Sequence, residues 1–570
     1  MSKNMRISVY VDDENGNEVR CVTKYRDTTM VSCPVENRSP RLGGGFVIAH
    51  INNLPAGKYR VRVKAENDCL VDHIDIRPGM DVGIGIVGKT HPMGHNDHIV
   101  FGHKHTAFFD YTSDVKTGEP LQGIPTIEGV GTVTIRNGII KNGSLGVLSW
   151  GIQSTANDVR IILDNVKFIS SGINTTAMDV PQATITNCMF DIKNPFIINR
   201  HGAEFYAVDL RGKKASEVSF SEFYGGQGCL VFKGKHSMIH HNLFVNRQTV
   251  TNHYSVMAMG DNSMVFENRF EPEIGSGLEI YKNKNIEIFN NLFITEAVPP
   301  TCEYIEHYST VSIRLADYGA DPGSPEGCYG NRIYNNKFFI TGRKFENYPD
   351  YIPMAAAVFY STSAGENYIF GNEIHIEQKN PGTDAEAFAF YIGNANGGQF
   401  YNNRIITNET PIWVGCGYGS ASNVSIVNNR ISKSNISKST FHPVRMGWID
   451  WDECTAKKIE FRSNHLEGLE FGIDATAQHH SYIVNWSLTI KAIDKKGKAL
   501  QSRNVTIVNR NGEEVANQRT NNIGILQIDL PEYSVDGEEI IYLSPYMIIV
   551  NNKKEEVNLN ADKFITIVSR

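Results

Sequence analysis

The chain has 570 residues, a formal net charge of −7 at neutral pH and 41% hydrophobic residues. That length accommodates several domains or one long repetitive one. The slightly acidic balance argues against nucleic-acid binding, which shows a basic domain, and no apolar run reaches the roughly 18 residues of a membrane span.

The opening "MSKNMRISVYVDDENG" passes straight into strand alternation, so no signal peptide is visible. A secreted or cell-surface protein is expected, with a cytoplasmic location left open. Nine cysteines are scattered without CxxC spacing, which argues against a zinc site. Cys188, Cys229 and Cys416 lie in apolar strand surroundings and read as buried thiols. Cys302 and Cys328 flank a loop and could pair in an oxidising compartment.

Residues 1–88 alternate apolar and polar positions between turn signals, as in "LPAGKYRVRVKAENDC", and predict an N-terminal β-sandwich. Residues 89–124 carry no repeat and read as a capping or linker segment. From 125 to 485 one pattern recurs: a short strand, an asparagine, another short strand. It appears as "IILDNVKF" at 161–168, "MIHHNLF" at 238–244, "MVFENRF" at 264–270, "IEIFNNLF" at 286–293, "RIYNNKFF" at 332–339 and "SIVNNRI" at 425–431. Most spacings lie between about 20 and 36 residues, the range of a solenoid, and the period inside each unit is two, so the coils are built of strands. An asparagine at each bend tolerates left-handed backbone geometry. Stacked at the strand spacing of roughly 4.8 Å, such asparagines can bond to one another in a ladder. Asn242, Asn268, Asn291 and Asn336 are expected at one corner. Residues 486–570 return to sandwich-like alternation.

The repeat resembles the right-handed parallel β-helix of the pectate-lyase-like superfamily over residues 125–485, about a dozen coils by its pattern. The resemblance implies an all-β chain, with a right-handed parallel β-helix between two β-sandwich modules. The C-terminal module is similar to transthyretin-like or carboxypeptidase-regulatory-like domains. That fold hosts lyases, hydrolases and phage tailspikes, so chemistry has to be read from outward side chains.

In "GLEIY" (277–281) Leu278 and Ile280 point inward, leaving Glu279 and Tyr281 outside. The equivalent "AVDLR" (207–211) exposes Asp209 and Arg211, "LVFKG" exposes Lys233, and "VSIRL" exposes Arg314. One outward column therefore reads Arg211, Lys233, Met259, Tyr281, Arg314. Neighbouring like charges repel unless an anion compensates them, and a guanidinium beside an amine favours the neutral amine that can serve as a base. Arg200 and His201 add cationic density at the strand's entry, and Tyr254 is one of several candidate sugar-stacking aromatics, with Tyr304, Tyr318, Tyr391 and Trp413.

Glycosidases need two carboxyls roughly 5–10 Å apart. Asp209 and Glu279 stand about three coils apart, on the order of 14 Å, and cannot form that pair. Elimination from a uronate chain needs a cation, a base and an acid, which Arg211, Lys233 and Tyr281 or His201 would supply, with Arg200, Asp209, Glu279, Arg314 and Tyr254 binding substrate. The segment "LVFKGKHSMIHHNLF" is similar to the base-lysine segment of chondroitinase B and alginate lyase-type polysaccharide lyases, which implies Lys233 as base. The family's arginine one coil later is replaced here by Met259. No acidic triplet matches that family's calcium site. No cofactor is assigned; calcium remains the one candidate. The expected function is depolymerisation of an acidic polysaccharide by β-elimination. One alternative is a glycoside hydrolase using the loop carboxylates Glu273, Glu303, Glu306 and Asp317, and another is a non-catalytic glycan-binding or tailspike-like adhesin.

Overall fold

The computed structural model describes strands distributed through residues 4–170 and most of residues 177–569, the main gaps being 193–205, 246–253, 298–306 and 317–326. Every regular element among the described residues is a strand, and none is a helix long and apolar enough to cross a membrane. Contacts gather into two units, residues 1–313 with 343–355 and residues 314–342 with 356–570.

In the first unit the repeat is a coil of three short strands, each pairing in parallel with its counterpart one coil on. One sheet contains Met178–Val180, Tyr206–Leu210, Gly228–Phe232, Tyr254–Ala258 and Ser276–Tyr281. A second contains Gln182–Thr186, Glu217–Ser219, Met238–His240, Met264–Phe266 and Glu287–Phe289. A third face contains Met189–Ile192, Glu222–Gly225, Leu243–Val245, Arg269–Phe270 and Leu292–Glu296. This is a parallel β-helix; connections between parallel strands of this kind run right-handed as a rule.

Alternation fills the interior. Phe168, Phe190, Phe223, Phe244, Phe270 and Phe293 are all fully buried, and their rings stack coil upon coil with centroids 4.6 to 5.0 Å apart. The strand spacing and the ring-stacking distance coincide, so one phenylalanine per coil adds a ring contact to about 1.5–3 kcal/mol of burial.

The corner is two residues long. The first adopts left-handed geometry, as at Asn290 (φ 56°); the second is buried and builds the ladder. The backbone N–H and Nδ2 of Asn242 both donate to Oδ1 of Asn268, each at 3.0 Å. Asn268 repeats this toward Asn291 at 2.9 and 3.0 Å, and its Nδ2 also donates to the carbonyl of Ile239, one coil back, at 2.8 Å. Asn165 and Asn187, which the sequence pattern puts in the ladder position, instead hold the left-handed position, both at φ 55°. Val166 and Cys188 follow them in the buried position, where burial raises the Cys188 thiol to about 12.

The second unit builds the same coil. Its ladder runs Asn336, Asn372, Asn403, Asn429, Asn464 through identical donor and acceptor pairs. Its last coil flows into the C-terminal module through one strand, Ser481–Ile493. The first residues of that strand pair in parallel with Ile459–Arg462, and the strand also pairs antiparallel with Ile525–Asp536. The expected boundary after residue 485 therefore falls inside a strand. A further four-stranded antiparallel sheet orders Glu514–Arg519, Asn504–Val508, Tyr546–Val550 and Lys553–Val557. Of the N-terminal region, the described strands Glu18–Asp27, Asn4–Asp13 and Gly57–Glu66 pair antiparallel. The capping segment contributes only His98–Ile99 and Ala107–Asp110 to the described residues.

Candidate functional site

The first sheet of the first unit sets the register of the outward side chains. Asp209, Val231, Met257 and Glu279 are partners on successive strands. Two residues further on, backbone bonds carry the next column: Arg211 N–H donates to Val180 O at 3.0 Å, Lys233 N–H to Leu210 O at 3.0 Å and Met259 N–H to Phe232 O at 2.9 Å. Arg211, Lys233 and Met259 therefore stand one coil apart, with Tyr281 ending the strand of the next coil.

The column ends in the same way in each coil. Arg211, Lys233 and Met259 are each followed by glycine, and a Cβ on Gly212, Gly234 or Gly260 would lie 2.3, 1.8 or 2.1 Å from a backbone oxygen. Only glycine permits that approach, so successive coils pack backbone to backbone just beyond the column, which stands at the rim of the sheet. Lys233 is exposed and Arg211 half-buried; burial holds the Arg211 guanidinium below its usual pKa. Tyr281 is partly buried, with Lys282 Nζ 5.4 Å from its ring centroid.

The middle of the outward face is covered. Tyr206, Val231 and Met257 form an apolar cluster, with Met259 and Tyr281 packed on it. Glu279 is only 2% exposed and Tyr254 2%, so neither presents a free surface to a substrate chain. Both follow the outward or strand-entry pattern, but alternation names a side of the sheet and not what packs over it. Arg314 belongs to the second unit and is likewise buried. Its Nη2 donates to Ser361 Oγ at 2.6 Å and its guanidinium lies 5.5 Å from the Phe359 ring centroid. Tyr391 and Trp413 are buried, the Trp413 Nε1–H donating to Gly447 O at 3.0 Å. Arg200, His201, Glu273, Glu303, Tyr304, Glu306, Asp317, Tyr318 and Cys302 lie outside the described residues. Cys328 is buried, its Sγ accepting from Asn331 Nδ2 at 3.3 Å.

Two features escaped the sequence reading. Asp179 is the register partner of Asp209, so two aspartates occupy adjacent coils in one column. The signal was present in "MDV" at 178–180, an apolar-Asp-apolar triplet like "VDL" at 208–210. The second is a shallow, open groove at the asparagine corner, between the rows Phe220, His241, Glu267 and Glu222, Leu243, Arg269. Among the described residues no three His, Cys, Asp or Glu side chains are arranged to hold a metal ion.

No protein-family model and no curated protein sequence matches the chain. Among solved structures it is similar to tailspike proteins of E. coli bacteriophage HK620. One is a mutant in complex with a pentasaccharide, at 10% identity and a TM-score of 0.34, covering 74% of this chain and 87% of that one. Another is a double mutant, at 10% identity and a TM-score of 0.35 with the same coverage. A deletion mutant in complex with a hexasaccharide gives 10% identity and a TM-score of 0.31, covering 74% and 86%. At that distance the likeness assigns no residue a role, and the parallel β-helix stands on the strand register of the chain itself.

Proposed function

We propose that this chain is a carbohydrate-binding β-helix protein that depolymerises an acidic polysaccharide at the rim column of its first unit. The observation that carries this reading is the pair Arg211 and Lys233, one coil apart on the same rim, continued by Met259 and Tyr281. Two cations at strand spacing repel each other, and a uronate carboxylate between them would relieve that repulsion. A half-buried guanidinium is suited to neutralise the carboxylate, because it stays protonated even when desolvation disfavours its charge. An exposed amine one coil away is suited to remove the proton alpha to it. Tyr281 closes the column as a proton donor or stacking surface.

Substrate must occupy the rim and not the centre of the sheet, where Val231 and Met257 are buried. Arg211→Ala should weaken binding. Lys233→Ala should leave binding and slow turnover by about two to four orders of magnitude.

Hydrolysis is the second reading, favoured by the adjacency of Asp179 and Asp209. Backbone positions on neighbouring strands stand about 4.8 Å apart, on the scale of the roughly 5 Å that retaining glycosidases need between two carboxyls. One experiment separates the two: incubate the chain with uronate polysaccharides and record ultraviolet absorbance of unsaturated ends together with reducing ends. Elimination raises both; hydrolysis raises reducing ends alone and is abolished by Asp209→Asn. A protein that binds such chains and raises neither signal is an adhesin.

A further inference from the structure

The left-handed corner position is filled along the first unit by Asn165, Asn187, Phe220, His241, Glu267 and Asn290. Asparagine suits that geometry and histidine is enriched in it; phenylalanine and glutamate adopt it at a cost in backbone strain. The three departures are consecutive, and the same three side chains form one wall of the corner groove. Lys282 and His236 of the same unit are left-handed as well, so it is the coincidence of strain with a groove that points to function here.

We infer that this groove is a second carbohydrate site, specific for a neutral hexopyranose and independent of the rim column. Phe220 is 53% exposed, and among the described residues of the first unit it is the one large apolar side chain that is. Its ring is held by the His241 imidazole, stacked at 4.7 Å between centroids and 27° between planes. His241 is fixed in turn: Nε2 donates to Glu267 at 2.6 Å and Nδ1 meets His240 Nδ1 at 2.9 Å. A carboxylate only accepts, so the proton on that side belongs to the imidazole. The result is an aromatic plate locked in orientation by partners on the next coils, presented to solvent.

The facing row supplies polar recognition. Glu222 accepts from Tyr224 Oη at 3.0 Å and retains acceptor capacity toward the groove. Arg269, on the far side of Leu243, donates, with its charge engaged by Glu271. A pyranose fits this arrangement: its C–H face stacks on the ring, and its hydroxyls donate to Glu222 and Glu267 and accept from Arg269. The charge also discriminates. Two carboxylates line the groove, and its one arginine is already paired, so a uronate would be repelled. This is the opposite preference to that of Arg211 and Lys233.

The full chain is titrated calorimetrically with cellotetraose, maltotetraose, chitotetraose and tetragalacturonate. At least one neutral tetrasaccharide is expected to bind, and to lose about tenfold or more in affinity in Phe220→Asn and in Glu267→Gln. Phe220→Asn restores the residue type used at the flanking corners, so it is expected to fold; Arg269→Ala, on an exposed side chain, gives a second reading of the same groove. The inference is overturned if no neutral tetrasaccharide binds, if Phe220→Asn and Arg269→Ala bind like the parent, or if tetragalacturonate is the ligand whose binding depends on Phe220.

Discussion

The corner is built twice, once in each unit, and the two versions differ most at the left-handed position. In the second unit the left-handed residues are Asn335, Gly371, Asn402, Asn428 and Ser463, small or self-bonding residues throughout. In the first unit three consecutive coils place Phe220, His241 and Glu267 there instead. The buried position beside them is Ser221, Asn242 and Asn268, and wherever it is asparagine, at 242, 268 and 291 in one unit and from 336 to 464 in the other, it makes the same bonds. Two adjacent positions of one bend thus answer to different demands. The buried one, where it is asparagine, satisfies backbone groups of the neighbouring coil. The left-handed one faces solvent and is available for recognition, at a cost in strain.

The largest expected effect tests the buried position. Asn268→Leu removes the acceptor of two buried donors on Asn242 and should destabilise by about 2–5 kcal/mol. Asn403→Leu should do the same in the second unit. Urea midpoints of the two variants compare the ladders directly, and a substitution tolerated within a few tenths of a kcal/mol would show that ladder to be dispensable.

Next is the left-handed position in the second unit. Asn402→Phe introduces the strain that Phe220 carries and should cost about 1–2 kcal/mol. The reverse exchange, Phe220→Asn, should raise stability by about 1 kcal/mol while abolishing recognition in the corner groove. Thermal scans of the pair should move in opposite directions; if Phe220→Asn lowers the midpoint, the ring serves packing and not a ligand.

The smallest effect concerns pH. Arg430, with help from Ser432, holds the Glu467 carboxyl down at about 2, from an ordinary 4.5. A depressed folded-state pKa contributes stability above the unfolded value, lost as pH falls from about 4.5 to about 2. Glu467→Gln should therefore flatten the acid limb of the stability profile in that window only, by a small amount because the pair is solvent-screened. In the first unit Arg269, paired with Glu271, lines the groove, so its removal should disturb ligand binding.

Much of the fold was legible. Period-two apolar alternation and a recurring asparagine are enough to specify stacked coils, because each coil can bury Phe or Ile only against its neighbours. The rim column was legible in register as well, since Arg211-Gly212, Lys233-Gly234 and Met259-Gly260 repeat a dipeptide whose glycine has a steric reason. The corner was blurred by one residue: both of its positions favour asparagine, one for φ and one for hydrogen bonding, so Asn165 and Asn187 could not be told from Asn242 by type.

What the sequence by itself determined is therefore the coil, its interior and the order of residues along each outward column. These depend on local alternation and on contacts between like positions one repeat apart, which recur in the sequence. What only the tertiary structure decided is access. Glu279 and Lys233 are both outward by alternation, yet Glu279 is 2% exposed and Lys233 stands at the rim. Burial on an outer face depends on the groups that pack over it, and no periodicity within a strand encodes them. The same holds for the corner groove: Phe220, His241 and Glu267 are spaced by 21 and 26 residues along the chain, and only stacking at strand spacing makes them one wall.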